Sequence, residues 1–152
     1  MLTPIDVLCI VMMAGLIALE GSRGIIPSLV DFLAVLGTAI VARFGHVPLL
    51  EYVQRPSMAY LLIVGVLLVL TICLSIFMSI RFKVIVTSLE AAIGAVLGTL
   101  TGIILTYMLL EWVSIYYGPN SAILRDSVLA AQLHDFAGFN SLVEFIHTLR
   151  GR

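Results

Sequence analysis

The sequence predicts an all-α polytopic membrane protein with about four transmembrane helices, and three observations carry that reading. The 152 residues are 61% hydrophobic and only 11% charged, against about 45–50% and ~25% in soluble domains. Two charge-free runs, Met58–Ile80 with twenty-three residues and Ala91–Leu110 with twenty, are long enough as helix to cross a ~30 Å hydrocarbon core. Within the second run Gly94, Gly98 and Gly102 recur every fourth residue, beside a file of Ala91, Ala95 and Thr99. Lipid tails give helices no hydrophobic reason to associate, so small residues on one face mark a place where another backbone approaches closely.

Length and charge bound the function. The chain suffices for one membrane domain over 1–118 and a C-terminal interfacial or amphipathic tail over 119–152. Eight basic residues against nine acidic ones give a net charge of −1, which excludes the basic surface that nucleic acid requires. Cys9 and Cys73 both sit in uncharged runs and read as buried free thiols. The partner the composition does demand is the lipid bilayer.

The first span, over about 4–20, opens with Thr3 as cap, Pro4 in the first turn, and Asp6 three residues after Thr3, a capping box with negative charge at the positive end of the helix dipole. No Lys or Arg precedes Arg23, so a cleavable signal peptide lacks its basic flank and a retained span is expected. Gly21, Arg23 and Gly24 belong to the expected turn Glu20–Gly24, where Glu20 and Arg23 pair if the helix persists. The second span, 25–43, carries Pro27 and one acid, Asp31. An intramembrane acid needs a partner or water. Asp31 is therefore a candidate polar or ion site, unless the helix begins only at Pro27 or Ser28 and leaves it a wet first-turn acid. Residues 44–57 read as a polar connection, compatible with a short interfacial helix around Leu49 and Tyr52.

The third span, 58–80, has its own small-residue file, Thr71, Ser75 and Ser79. Thr87 and Glu90 form a capping box for the fourth span, 89–111. Because the connection between these two spans is short, they are expected to pair as a hairpin, bringing Ser79 to Gly94, Ser75 to Gly98 and Thr71 to Gly102. Tyr107, Trp112, Tyr116 and Tyr117 read as an aromatic belt at the headgroup level, and Gly118-Pro119-Asn120 stops the helix. In the tail, Leu142, Phe145, Ile146 and Leu149 fall on one helical face. The distribution of Arg and Lys between the two sides leans towards cytoplasmic termini.

No phosphate-binding glycine loop and no nucleophile turn is present. Glu144-x-x-His147 is half of one di-iron motif and lacks the other half; His134 and Asp135 are adjacent and point apart. No catalytic, cofactor-binding or metal-binding residues are expected, and the chain does not read as an enzyme.

Ile5-Asp6 opening the first span, Gly21-Ser22-Arg23-Gly24, the apolar helix ending in Ala42, and Glu90-Ala91, Gly94-x-x-x-Gly98, Thr101-Gly102 on the last span together resemble the colicin V production protein family over about Thr3–Leu133. Two positions that are basic in many members are Ala91 and Thr101 here, and Pro27-Ser28 stands where many carry a basic-acidic pair. The resemblance implies a multi-pass protein of the bacterial inner membrane, linked to colicin V production or export and to envelope function. Two functions follow as expectations: a non-enzymatic accessory or assembly protein working with copies of itself or other membrane proteins, or an oligomeric transporter or channel subunit using Asp31.

Overall fold

The computed structural model describes residues 3–49, 53, 55–81, 86–118 and 121–129, and of residues 46–49, 122 and 123 the backbone alone. The protein is an all-α multi-pass membrane protein: α1 (Pro4–Arg23), α2 (Ile25–Leu49), α3 (Pro56–Arg81), α4 (Ser88–Tyr117) and a single turn, α5 (Ala122–Arg125). The first four are long and apolar enough to cross a membrane.

Local chemistry sets the helix ends. Both capping boxes are formed: Thr3 with Asp6 at α1 and Thr87 with Glu90 at α4, each hydroxyl accepting from the backbone N–H three residues on. The helix α1 runs through Glu20, Gly21 and Ser22 to Arg23, so the expected five-residue turn contracts to Gly24 alone. Its φ of 85° lies in the left-handed region that glycine enters at little cost. Twenty residues make α1 roughly 30 Å long, a full crossing. In α2, Pro27 occupies the third position of the first turn, where a missing N–H costs nothing. That helix starts at Ile25 and continues to Leu49, past the expected end at residue 43, and converts the start of the expected polar connection into helix. Gly118, at φ 88°, closes α4, its N–H donating to Ser114 O.

The helices pack in the order α1–α4–α2–α3, with only slight α1–α2 and α3–α4 contact. The expected hairpin of the third and fourth spans is therefore corrected: the glycine file of α4 faces α1. A Cβ on Gly94 would stand 2.4 Å from Glu20 O, one on Gly98 2.7 Å from Leu16 O, and one on Gly102 2.9 Å from Met13 Cγ. As α4 ascends, its α1 partner descends, so the two run antiparallel. Gly21 completes the contact from the other side, against Ala91 O and the Ala95 Cβ. A short connection favours an antiparallel neighbour, but in a four-span chain α1 is antiparallel to α4 just as α3 is, so loop length does not choose between them.

The Ser/Thr file of α3 faces α2. Ser75 bonds to Asp31, and Thr71 lines a lipid-facing groove with Ala34, Gly37 and Thr38. Ser79 returns its hydroxyl to Ser75 O in its own helix. A buried stripe at helical spacing, Ser28, Asp31, Val35, Thr38, Ala39 and Ala42, runs down α2. Its middle meets Met108 of α4, with Leu36, Phe44, Ile104 and Leu105 around it. Most of α3, including Leu62, Val66, Val69, Ile72 and Phe77, is exposed to the bilayer. Cys9 is buried as expected, whereas Cys73 lies on the exposed side of α3. The expected amphipathic tail helix, with Glu144, His147 and Leu149, lies outside the described residues, as do His134, Asp135, Tyr52 and the His46 side chain.

Gly94→Ala is expected to destabilise the protein by at least about 1–3 kcal/mol, the ordinary cost of overpacking, because its methyl would meet the Glu20 carbonyl rather than a movable side chain. Gly65→Ala, where an added Cβ meets nothing within 4 Å, is expected to be neutral or to stabilise by up to about 1 kcal/mol. Thermal unfolding of both variants in detergent micelles checks the contrast.

Candidate functional site

Near one end of the bundle, α1, α2 and α3 bring four polar side chains together. Asp31 is the seventh residue of α2 and Ser75 the seventh from the end of α3. Each therefore lies roughly 9 Å from its helix end, at matching depth. Arg23 Nη1 donates to Asp31 Oδ2 at 3.0 Å and to Ser75 Oγ at 2.6 Å, and Ser75 Oγ–H donates to the same Asp31 oxygen at 2.7 Å. Glu20, one turn before Arg23, places Oε1 3.8 Å from that same Nη1, and its carboxyl is also within interaction range of Asp31. Asp31 is thus no wet first-turn acid: it is 6% exposed and Glu20 1%. Arg23, 20% exposed at its side chain, is the member that reaches the surface.

The glycine contact fixes this cluster. Ser28 Oγ donates to Gly24 O at 2.7 Å and to Glu20 O at 3.1 Å, and a Cβ on Gly94 would fall 3.3 Å from Ser28 Oγ. The backbone at Glu20 is therefore held between α2 and α4. Among the described residues, two buried carboxylate oxygens of the cluster, Glu20 Oε2 and Asp31 Oδ1, have no hydrogen-bond partner.

Two further polar groups occupy the opposite end. Arg43 of α2 meets Glu111 at 3.8 Å and donates to the Tyr107 hydroxyl, while Tyr60 Oη donates to Glu111 Oε2 at 3.1 Å. Of the aromatic residues expected at the headgroup level, Tyr107 accepts from Arg43, Trp112 stacks on Tyr116 at 5.6 Å, and Tyr116 meets Tyr117 edge to face at 4.7 Å. Asp6, fully buried, accepts from Thr3 N and Oγ1 in its own cap, from Ser127 Oγ at 2.6 Å, and from the N–H groups of Val128 and Leu129. Ordinarily a buried carboxylate is tolerated only when its lone pairs are filled in this way.

Of the residues singled out in the sequence, Asp31, Ser75 and Arg23 meet in one cluster. Gly94, Gly98, Gly102 and Gly21 form the α1–α4 contact, Gly24 forms the α1–α2 corner, and Thr71 and Ser79 remain in the α2–α3 seam and within α3. Sequence reasoning missed Glu20 as a buried group, because it stood in an expected turn. The available signal was its spacing of three from Arg23 together with the continuation of helix through Gly21. The second role of Asp6, joining Ser127 more than a hundred residues later, left no local signal.

Comparison with protein-family models, curated proteins and solved structures finds no match for this chain.

Arg23→Gln leaves two buried acids without their cation and is expected to cost roughly 3 kcal/mol. Adding Asp31→Asn to it restores part of that loss, so a double-mutant cycle by unfolding in micelles reads a positive coupling. Asp6→Asn weakens the charged acceptor at Val128 and Leu129, and hydrogen exchange at those two amides is expected to accelerate roughly 10- to 100-fold, the equivalent of about 1.5–3 kcal/mol.

Proposed function

We propose that the chain is a non-enzymatic accessory protein of the bacterial inner membrane, serving colicin V production or export and envelope function by assembling with other membrane proteins or with copies of itself. The observation that carries this reading is the contact of α2 with α4 through Ala39 and Met108. There α2 packs directly on α4, one turn from the Arg43–Glu111 layer, and a lumen between those two helices would have to displace that contact. The glycine file is occupied within the protomer, so assembly falls to the outward faces of α1 and α3. The toxin link and the bacterial inner membrane rest on the sequence resemblance.

A second reading, a small transporter or channel subunit that conducts only as an oligomer, is favoured by one observation: Asp31 is held with Glu20 and Arg23 in a buried charged cluster. Gly98→Leu does not separate the two, since that position packs on Leu16 O inside one protomer and either function fails with the fold.

Asp31→Asn does separate them. In a strain lacking this chain and carrying a colicin V plasmid, the wild-type gene is expected to restore the toxin halo. Asp31→Asn, at matched membrane abundance, is expected to restore most of it. Loss of the halo with Asp31→Asn at normal abundance transfers the case to transport, and a halo that never depended on the chain removes the toxin link.

A further inference from the structure

The buried cluster has an imbalance in charge and a matching imbalance in hydrogen bonds. With both acids ionised, Glu20 and Asp31 carry two negative charges against, among the described residues, the single positive charge of Arg23. An uncompensated charge beneath a membrane surface is costly. The same two residues supply the cluster's two unpartnered buried oxygens, Glu20 Oε2 and Asp31 Oδ1, and a buried acceptor without a donor is costly on its own account. One added proton removes both faults. It neutralises the cluster, and the carboxylic O–H it creates donates to the neighbouring carboxylate. A metal cation fits less well, because it would sit beside the guanidinium that already contacts Asp31 at 3.0 Å and Glu20 at 3.8 Å and be repelled by it.

We propose that Glu20, Asp31, Arg23 and Ser75 form a proton-binding site in which one proton is shared between the Glu20 and Asp31 carboxyl groups. The inference goes beyond either reading of the function and holds for both. The proton comes from water at the face where Arg23 is exposed, an O–H bond forms on one carboxylate oxygen, and no electrons are transferred. Among the described residues, the groups facing the pair are Arg23 from α1, Ser28 from α2, Ser75 from α3, and from α4 the backbone at Gly94. Of the described charged residues at the α3–α4 connection, Glu90 is bonded to Thr87 and Arg81 is exposed at the end of α3. Asp6 makes a useful contrast, since five donors satisfy it without a proton.

Solid-state NMR of the full chain, labelled with 13C and reconstituted in phospholipid bilayers, reads the protonation state of each side-chain carboxyl carbon. At neutral pH one protonated carboxyl is expected for the Glu20–Asp31 pair, unchanged when sodium or potassium replaces a bulky organic cation in the buffer. Glu20→Gln and Asp31→Asn should each abolish that signal, because the acid that remains is matched by Arg23. If neither variant folds, infrared spectra of wild-type protein labelled separately at Glu or at Asp decide the point by whether a protonated-acid carbonyl band shifts with both labels. Two ionised carboxyls at neutral pH, two protonated ones, or a signal that follows the alkali cation would each overturn the proposal.

Discussion

The close approach of α1 to α4 is the constraint from which the rest of the bundle follows. At Gly94 and Gly98 the carbonyls of Glu20 and Leu16 lie where a methyl group would otherwise be. No side-chain adjustment can substitute for that absence. In lipid, where apolar surface alone gives no net attraction between helices, contact at backbone distance supplies dispersion over a long seam. The seam also sets the height and rotation of α1. Glu20 is thereby turned inwards beside Arg23 and brought level with Ser28.

The third helix is held differently. It contributes little buried apolar surface and is exposed to the bilayer over most of its length, so its placement relies on polar contacts: Ser75 with Asp31 and Arg23 at one end, and Tyr60 with Glu111 at the other. Polar groups that would be lost to water in a soluble protein keep most of their strength where hydrocarbon offers no competing partner. The two polar layers near the ends and the apolar middle are thus one design. The ends fix register and the middle meets lipid. The first-turn carboxylate of α1 extends the scheme to the chain beyond α4 by accepting from Ser127 and the two N–H groups that follow.

The charge balance of the end cluster connects this architecture to chemistry. Asp6 and the Glu20–Asp31 pair are all buried acids, yet one is saturated with donors and the others are one donor short. Folding alone selects the first arrangement. A pair left one proton from neutrality, with its arginine reaching the surface, has a state variable that water at that surface can set.

By itself the sequence determined the class and the helices, because hydrocarbon demands long uncharged runs and capped ends, and both are local properties. Thr3 with Asp6, Thr87 with Glu90, and the four apolar runs declare themselves within a few residues. It also marked which faces are special, since three glycines or three hydroxyls at a spacing of four must share a side. Which face meets which was decided only by the tertiary structure. Antiparallel geometry admits both α1 and α3 as neighbours of α4, and the choice rests on shape: the α1 backbone fits the glycine groove, while the Ser75 hydroxyl of α3 finds the charged pair on α1 and α2. For the same reason Asp31 was visible and Glu20 was not. A lone acid in an apolar run stands out, but an acid beside two glycines reads as a turn until the packing of Gly21 on Ala91 and Ala95 shows that the helix continues through it.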